Sequence, residues 1–237
     1  MLRLTPIFLA LLYGLAMYRF SAWRTARELD ARSTELVDPI LGVLTQQMAQ
    51  ALDLERIKVY IYEVAPINGL AAPDGRIFIT RGFFNEYRKG KVKADELASV
   101  IAHELGHVAL GHSRRRMIDF SGQNAARVVL ATLLGRIIPF AGVWIANGLM
   151  RLLSAGLSRR DEYEADSYAA ALLTRAGIGT EGQKSLLAKL EALSGGRAKS
   201  APAWLMSHPE TSERIAAIKA LELRWSQARL EGDSEGS

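Results

Sequence analysis

Two histidines four residues apart flank a glutamate in HELGH, residues 103–107, in a chain with only four histidines. On a helix, positions i and i+4 lie about 40° apart around the axis, so His103 and His107 share a face. Two imidazoles stacked one turn apart can ligate a single Zn2+ ion. Glu104 follows His103 by about 100° and stands beside such an ion rather than on it. There its carboxylate can hold the attacking water and take its proton. Gly106 would keep the helix thin where another element or a substrate approaches. The bare pattern arises by chance in on the order of one chain in a hundred of this size, so its surroundings decide what it means. Leu97, Val100, Ile101, Leu105 and Val108 give the stretch a buried stripe, and the spacing predicts a helix over 94–117.

A catalytic zinc site takes three protein ligands and keeps a fourth position open. His112, nine residues after His103, falls half a turn out of phase if the helix continues. The spacing HExxHxxGxxH also fails, because Leu110 and Ser113 occupy its last two fixed positions. Glu162 is the better third ligand. Glu162 and Asp166 sit i, i+4 on a helix read over 158–175, so both face one way. Glu162 can then reach the ion while Asp166 accepts the far N–H of a ligating histidine and fixes its tautomer. Glu164 points elsewhere on that helix and is expected to be solvated. Spacing alone leaves the opposite reading open, that of a surface helix with ordinary carboxylates.

The elements that must carry these residues can be placed from local pattern. Ser33 is a candidate cap for a helix bearing Leu36, Ile40, Leu44, Met48 and Leu52, with Pro39 near its start. KVYIYEV (58–64) and IFIT (77–80) read as strands, the second following a PDG turn at 73–75. Ser158 and Asp161 suggest a capping-box start for the Glu162 helix and Gly177 its stop; Thr180 and Gln183 open another. A last helix over 210–227 turns Ile215, Ile218 and Leu221 inward. The domain reading is an N-terminal membrane anchor or signal segment (1–20), a charged linker (21–35), a catalytic domain (36–225) and a tail disordered by composition (226–237).

The 237 residues suffice for one domain with a full core, and 49% hydrophobic with 23% charged residues argues against wholesale disorder. With no cysteine, disulfides, thiolate metal sites and a cysteine nucleophile are excluded. The net charge of +5 comes with arginine clusters at 24–32, 114–116 and 159–160, but with no nucleic-acid motif, so no nucleic-acid partner is expected. Residues 4–18 are uncharged and mostly apolar, short for a bilayer span, and read as an uncleaved membrane anchor, with a cleaved signal or a soluble amphipathic segment as the alternatives. Arg19, Arg24 and Arg27 after it argue for a cytoplasmic body, while its export-like beginning argues for the periplasm, so the side of the membrane stays open. The apolar region 128–157 is interrupted by Arg136, Pro139 and Arg151; it reads as a helical hairpin that is buried or lies on a membrane or over a cleft.

HELGH with His112 behind it, then SRRDEYEAD (158–166), then SHPETSERI (207–215), preceded by INGLAAPDGRIFITRGFF (67–84), resemble the HtpX-like and CAAX-prenyl-endopeptidase type of zinc metallopeptidase, metallopeptidase family 48 of the gluzincin clan. The resemblance implies an α+β, predominantly helical, zincin-like fold with a small mixed β-sheet. It implies one Zn2+ per chain held by His103, His107 and Glu162, with Glu104 as base and Asp166 behind a ligand. It implies protein or peptide substrates lying extended along an edge strand somewhere between 67 and 81, with Asn68 as a substrate-binding residue. Asn68-Gly69 stands where an Asn-Ala pair is usual, which should loosen that strand. His208 either acts at the oxyanion, approaches the metal, or merely starts the last helix beside Pro209. Arg214 either steadies the active-site carboxylates or is exposed. The expected activity is zinc-dependent endoproteolysis of unfolded or membrane-associated proteins, with quality control as a role by analogy, in a bacterial inner membrane. The alternative is a non-catalytic, membrane-attached, chaperone-like module using the same cleft.

Overall fold

The computed structural model describes residues 23–72, 74–112, 142–194 and 211–235, together with Leu12, Leu15, Arg19 and Phe20. The chain divides into two compact units, Met1–Arg32 with Gly111–Asp161 and Ser33–Leu110 with Glu162–Ser237.

The second unit is built on a mixed four-stranded sheet of order β1-β2-β4-β3. β1 (Ser33–Glu35) pairs antiparallel with β2 (Val59–Tyr62), Ser33 opposite Tyr62. β2 runs parallel to β4 (Ile77–Thr80), and β3 (Gly69–Ala71) pairs antiparallel with β4, Gly69 opposite Ile79. The strand patterns follow their places. β2 alternates buried Val59 and Ile61 with half-buried Tyr60 and Tyr62, whereas all four residues of the interior strand β4 are buried. The hairpin between β3 and β4 turns at Gly75, whose φ of 88° needs glycine, and its N–H donates to the Ala72 carbonyl at 2.9 Å. Pro73 of the PDG turn lies outside the described residues.

Helices α1 (Pro39–Ala51), α2 (Arg81–Arg88) and α3 (Ala94–Ala109), the end of α4 (Gly142–Arg175), α5 (Glu181–Ser194) and α6 (Thr211–Glu235) complete this unit. One core joins Leu41 and Met48 of α1, Ile77 and Ile79 of β4, Phe83 of α2, Leu97 and Ile101 of α3, Leu173 of α4, Leu186 and Leu190 of α5, and Ile218 of α6. The outcome is the mainly helical α+β fold that the sequence led us to expect.

Several boundaries differ from the sequence reading. Ser33 caps no helix; it opens β1, and Asp38 is the cap, its Oδ1 accepting the N–H groups of Ile40 and Leu41 at 3.1 and 3.0 Å. The reason is Pro39, which serves at the first helical position but holds the residue before it extended, here at φ −144° and ψ 128°. α3 stops at Ala109 rather than 117, because Gly111 turns the chain at φ 69°. Ser158 and Asp161 begin nothing, since α4 already runs from Gly142. The chain does turn at Gly177, with φ 72°. Residues 226–235, expected to be disordered, are the end of α6.

In the first unit, a helix covers residues 23–31 of the expected linker, with the Arg27 guanidinium 5.2 Å from the Trp23 ring centroid. Among the described residues, no helix is long and apolar enough to cross a membrane. Apart from Leu12 and Leu15, segment 4–18 lies outside the described residues, as do residues 128–141 of the second apolar region.

Candidate metal centre

α3 carries its histidines on the buried side of the helix: His103, Glu104 and His107 are each no more than 3% exposed. α4 comes close because Gly106 has no side chain. A β-carbon there would lie 3.0 Å from the Ala165 carbonyl oxygen and 3.1 Å from its Cα, so the glycine does keep the helix thin where another element approaches. That close approach brings Glu162 of α4 to the two imidazoles.

Three side chains that could hold a metal then converge. His103 Nε2 and His107 Nε2 are 3.1 Å apart, and each faces one oxygen of Glu162, at 3.3 Å from His103 and 3.5 Å from His107. An ion bound at about 2.0–2.1 Å in tetrahedral geometry spaces its ligands by roughly 3.3 Å, which is the observed separation. His103, His107 and Glu162 are thus a group able to hold a metal. His103 Nδ1 donates to Asp166 Oδ1 at 2.9 Å, which leaves the Nε2 lone pair aimed at its two neighbours. Two imidazole nitrogens and a carboxylate meeting this closely out of water make a site that a cation can fill.

The surrounding charges favour one. Burial pushes the His103 imidazole down, but its hydrogen bonds to Asp166 and Glu162 outweigh that and raise its pKa to about 9. Burial works against the Asp166 anion too, yet the Arg214 guanidinium and the His103 contact hold its carboxyl well below the usual carboxylate range. Arg214 donates through Nε to Asp166 Oδ2 at 2.5 Å and through Nη2 to Oδ1 at 2.7 Å, with Nη1 3.7 Å from Glu162 Oε2. It is 1% exposed, so of its two sequence readings the one in contact with the carboxylates is the one realised. Burial lowers the Arg214 pKa and Asp166 more than restores it.

His112 does not join this group. It is fully buried in the first unit, Nε2 3.7 Å from Asp161 Oδ1. Glu164, expected to be solvated, is half-buried. His208 lies outside the described residues. Asn68 precedes the edge strand, its main chain closed on Thr80: the Thr80 N–H donates to the Asn68 carbonyl at 3.0 Å, and Asn68 N–H donates to Thr80 Oγ1 at 3.0 Å. Its Oδ1 is buried and accepts no hydrogen bond among the described residues. Gly69 packs against Val100 and Glu104, and strand β3 pairs in register with β4. The sequence reading missed Gln183, whose Nε2 donates to the Asp166 carbonyl at 3.2 Å and lies 3.4 Å from Asp166 Oδ1. A glutamine seventeen residues downstream carries no local signal of that contact.

A mainly helical α+β fold with a small mixed sheet, and a buried His-x3-His pair facing a carboxylate from a second helix, define a zincin-like metallopeptidase. The chain belongs to peptidase family M48, whose family model matches residues 36–222. It is 30% identical over 179 residues to Metalloprotease LoiP of Escherichia coli (strain K12), a match covering 76% of this chain and 68% of that protein. It is also 30% identical over 179 residues to Metalloprotease YcaL of the same organism, covering 76% and 67%. To Protease HtpX of Xanthomonas axonopodis pv. citri (strain 306) it is 26% identical over 208 residues, covering 74% and 70%. The protein is accordingly a metalloendopeptidase.

Proposed function

We propose that this metalloendopeptidase is zinc-dependent, with His103 Nε2, His107 Nε2 and the Glu162 carboxylate as ligands and Glu104 as the general base. The observation that carries the reading is the trio itself: two ring nitrogens 3.1 Å apart, with Glu162 Oε2 3.3 Å from one and Glu162 Oε1 3.5 Å from the other, and one ring tied to Asp166. Two imidazole nitrogens and a carboxylate brought together in a buried site suit zinc. When bound, zinc polarises the scissile carbonyl and lowers the pKa of water towards about 7.

The chain's own residues do the rest. Asp166 holds the Nδ1 proton of His103 and so keeps Nε2 available. Glu104 takes the proton of the attacking water on its carboxylate and returns it to the leaving nitrogen. Of the strands between 67 and 81, β4 is interior and β3 is the edge. β3 therefore offers the main-chain groups on which an extended substrate pairs, with Asn68 at its start as a substrate-binding residue. Main-chain pairing requires an unfolded segment and asks little of its sequence, which favours unfolded or membrane-associated proteins as substrates and a quality-control role. His208 is the oxyanion donor in this scheme. Residues 4–18 anchor the chain in a bacterial inner membrane, with a second membrane contact through 128–157.

The test is cleavage of casein by the purified protein, with and without chelator, beside Glu104→Gln. The variant should bind one zinc per chain and lose activity by roughly 100-fold or more. Wild-type rates in the variant, or indifference to chelator, would overturn the reading. Casein captured but never cut would favour the chaperone-like module instead.

A further inference from the structure

The segment LVDPILGVL, residues 36–44, carries a single charge, Asp38, and that charge is buried. What the segment shows to solvent is uncharged. Val37 is 88% exposed, Ile40 and Val43 are 60% exposed, and Pro39 and Gly42 lie open between them. Ile40 and Val43 stand i, i+3 on α1 and share a face, which Val37 extends at the N-terminal end. Leu41, Thr45 and Met48 turn the other way, into the core. The helix thus has two apolar sides, and the core uses one. A lone exposed valine needs no explanation, but a stripe of this kind does.

A basic turn stands beside the stripe. The chain passes from α2 to α3 through Arg88, Lys89, Gly90, Lys91, Val92 and Lys93, and all four cations are exposed. Asp38 joins the turn to the stripe. Its Oδ1 caps α1 and accepts from the Tyr87 hydroxyl at 3.1 Å, while Arg88 Nη1 lies 3.9 Å from its Oδ2. Glu86 is the other carboxylate in contact, accepting from Lys89 Nζ at 2.8 Å and lying 3.0 Å from Lys91 Nζ. Four cations against two carboxylates leave the turn positive.

The combination selects its occupant. An apolar helix face flanked by lysine and arginine is the make-up of a surface that lies in a lipid interface. A second copy docked through the same face would set one basic turn against another. Nucleic acid would use the cations and leave the stripe in water. We propose that Val37, Ile40 and Val43, with the turn from Arg88 to Lys93, dock on an anionic lipid surface. The three side chains enter the boundary between headgroups and acyl chains, and the cations pair with lipid phosphates. This contact is separate from residues 4–18 and 128–157, and it needs neither a bound metal nor peptide cleavage.

The chain has no cysteine, so Ile40→Cys carrying an environment-sensitive fluorophore reports on the stripe in the full-length protein. Leu223→Cys, at an exposed leucine of α6, is the reference. Each is mixed with vesicles of phosphatidylcholine, alone or with phosphatidylglycerol, and flotation is measured beside fluorescence. With the anionic vesicles the label at 40 should brighten about twofold or more, shift to the blue and be quenched by a lipid with a quencher on its acyl chain. Phosphatidylcholine alone should give less than about half of that response, and the label at 223 should change little. Lys89→Gln, Lys91→Gln and Lys93→Gln together, or salt raised from about 0.1 to 1 M, should remove most of it. No response at 40 overturns the proposal; flotation in that case places the anchor elsewhere and leaves the reading of residues 4–18 intact. Equal responses at 40 and 223, or a full response in the triple variant, also overturn it. A label at 40 that is blue-shifted before lipid is added, or a cysteine there that cross-links two copies, assigns the face to protein and overturns it too. None of these outcomes bears on the peptidase reading, which casein cleavage decides.

Discussion

Asp166 gathers the electrostatics of the site. One carboxylate accepts from His103 Nδ1 and from two nitrogens of Arg214, all of them buried. A buried ion pair contributes little net stability when intact, yet removing one partner strands the other charge. Arg214→Met should therefore destabilise the protein by about 3–5 kcal/mol, read by urea unfolding. Arg214→Lys should recover part of this, because it restores the charge without the two-pronged geometry. Asp166→Asn should weaken zinc binding by roughly 10- to 100-fold in chelator competition, since the neutral amide is a weaker acceptor for the His103 Nδ1–H and can turn its NH2 towards the ring instead. An unchanged zinc affinity in that variant would mean that the His103–Asp166 contact does not set the ligand's lone pair.

Between elements, the N-terminus of α3 is tied to α5 through Glu96. Its carboxylate accepts from Lys189 Nζ at 2.7 Å, Ser185 Oγ at 2.6 Å and the Lys93 N–H at 2.8 Å. Burial alone would raise the Glu96 pKa, but the bonds from Lys189, Ser185 and the Lys93 amide prevail and lower it. A carboxyl lowered in the folded state contributes stability that is complete above its unfolded pKa, about 4.3, and is lost as the pH falls through its folded value. The melting-temperature gap between wild type and Glu96→Gln should thus be full at pH 7 and shrink below about pH 4. A gap that widened on acidification would reverse the assigned sign. α3 and α4 meet with even less tolerance. Gly106→Val, placed against the Ala165 main chain, should part the two helices that carry the proposed ligands and abolish zinc binding measured by metal analysis.

For the molecule as a whole, the proposed ligands His103 and Glu162 come from distant parts of the chain, and nothing but the folded state brings them together. A metal bound there binds the native state and not the unfolded chain. Zinc at about 100 times its dissociation constant then adds about 2.7 kcal/mol of stability, a rise of roughly 5–10 °C in melting temperature that chelator reverses. His103→Ala should melt at the same temperature with and without zinc.

The sequence by itself determined what depends on neighbours along the chain. The helical face shared by His103 and His107, the i, i+4 pair Glu162 and Asp166, the buried strand IFIT and the stop at Gly177 all follow from periodicity and backbone sterics. The cap at Asp38 was local as well, written in the Asp38–Pro39 pair, and Ser33 merely competed for it. The tertiary structure alone decided the rest. A strand as short as β1 exists only through its pairing with β2, and Ser158 looks like a helix start until the chain before it is itself helical. Which strand is the edge, that Arg214 lies on Asp166 and that Gln183 supports it are facts of packing across long sequence separations. Hydrogen bonds and van der Waals contacts of that kind leave no period in a sequence, because their partners are set by how the helices and sheet come together.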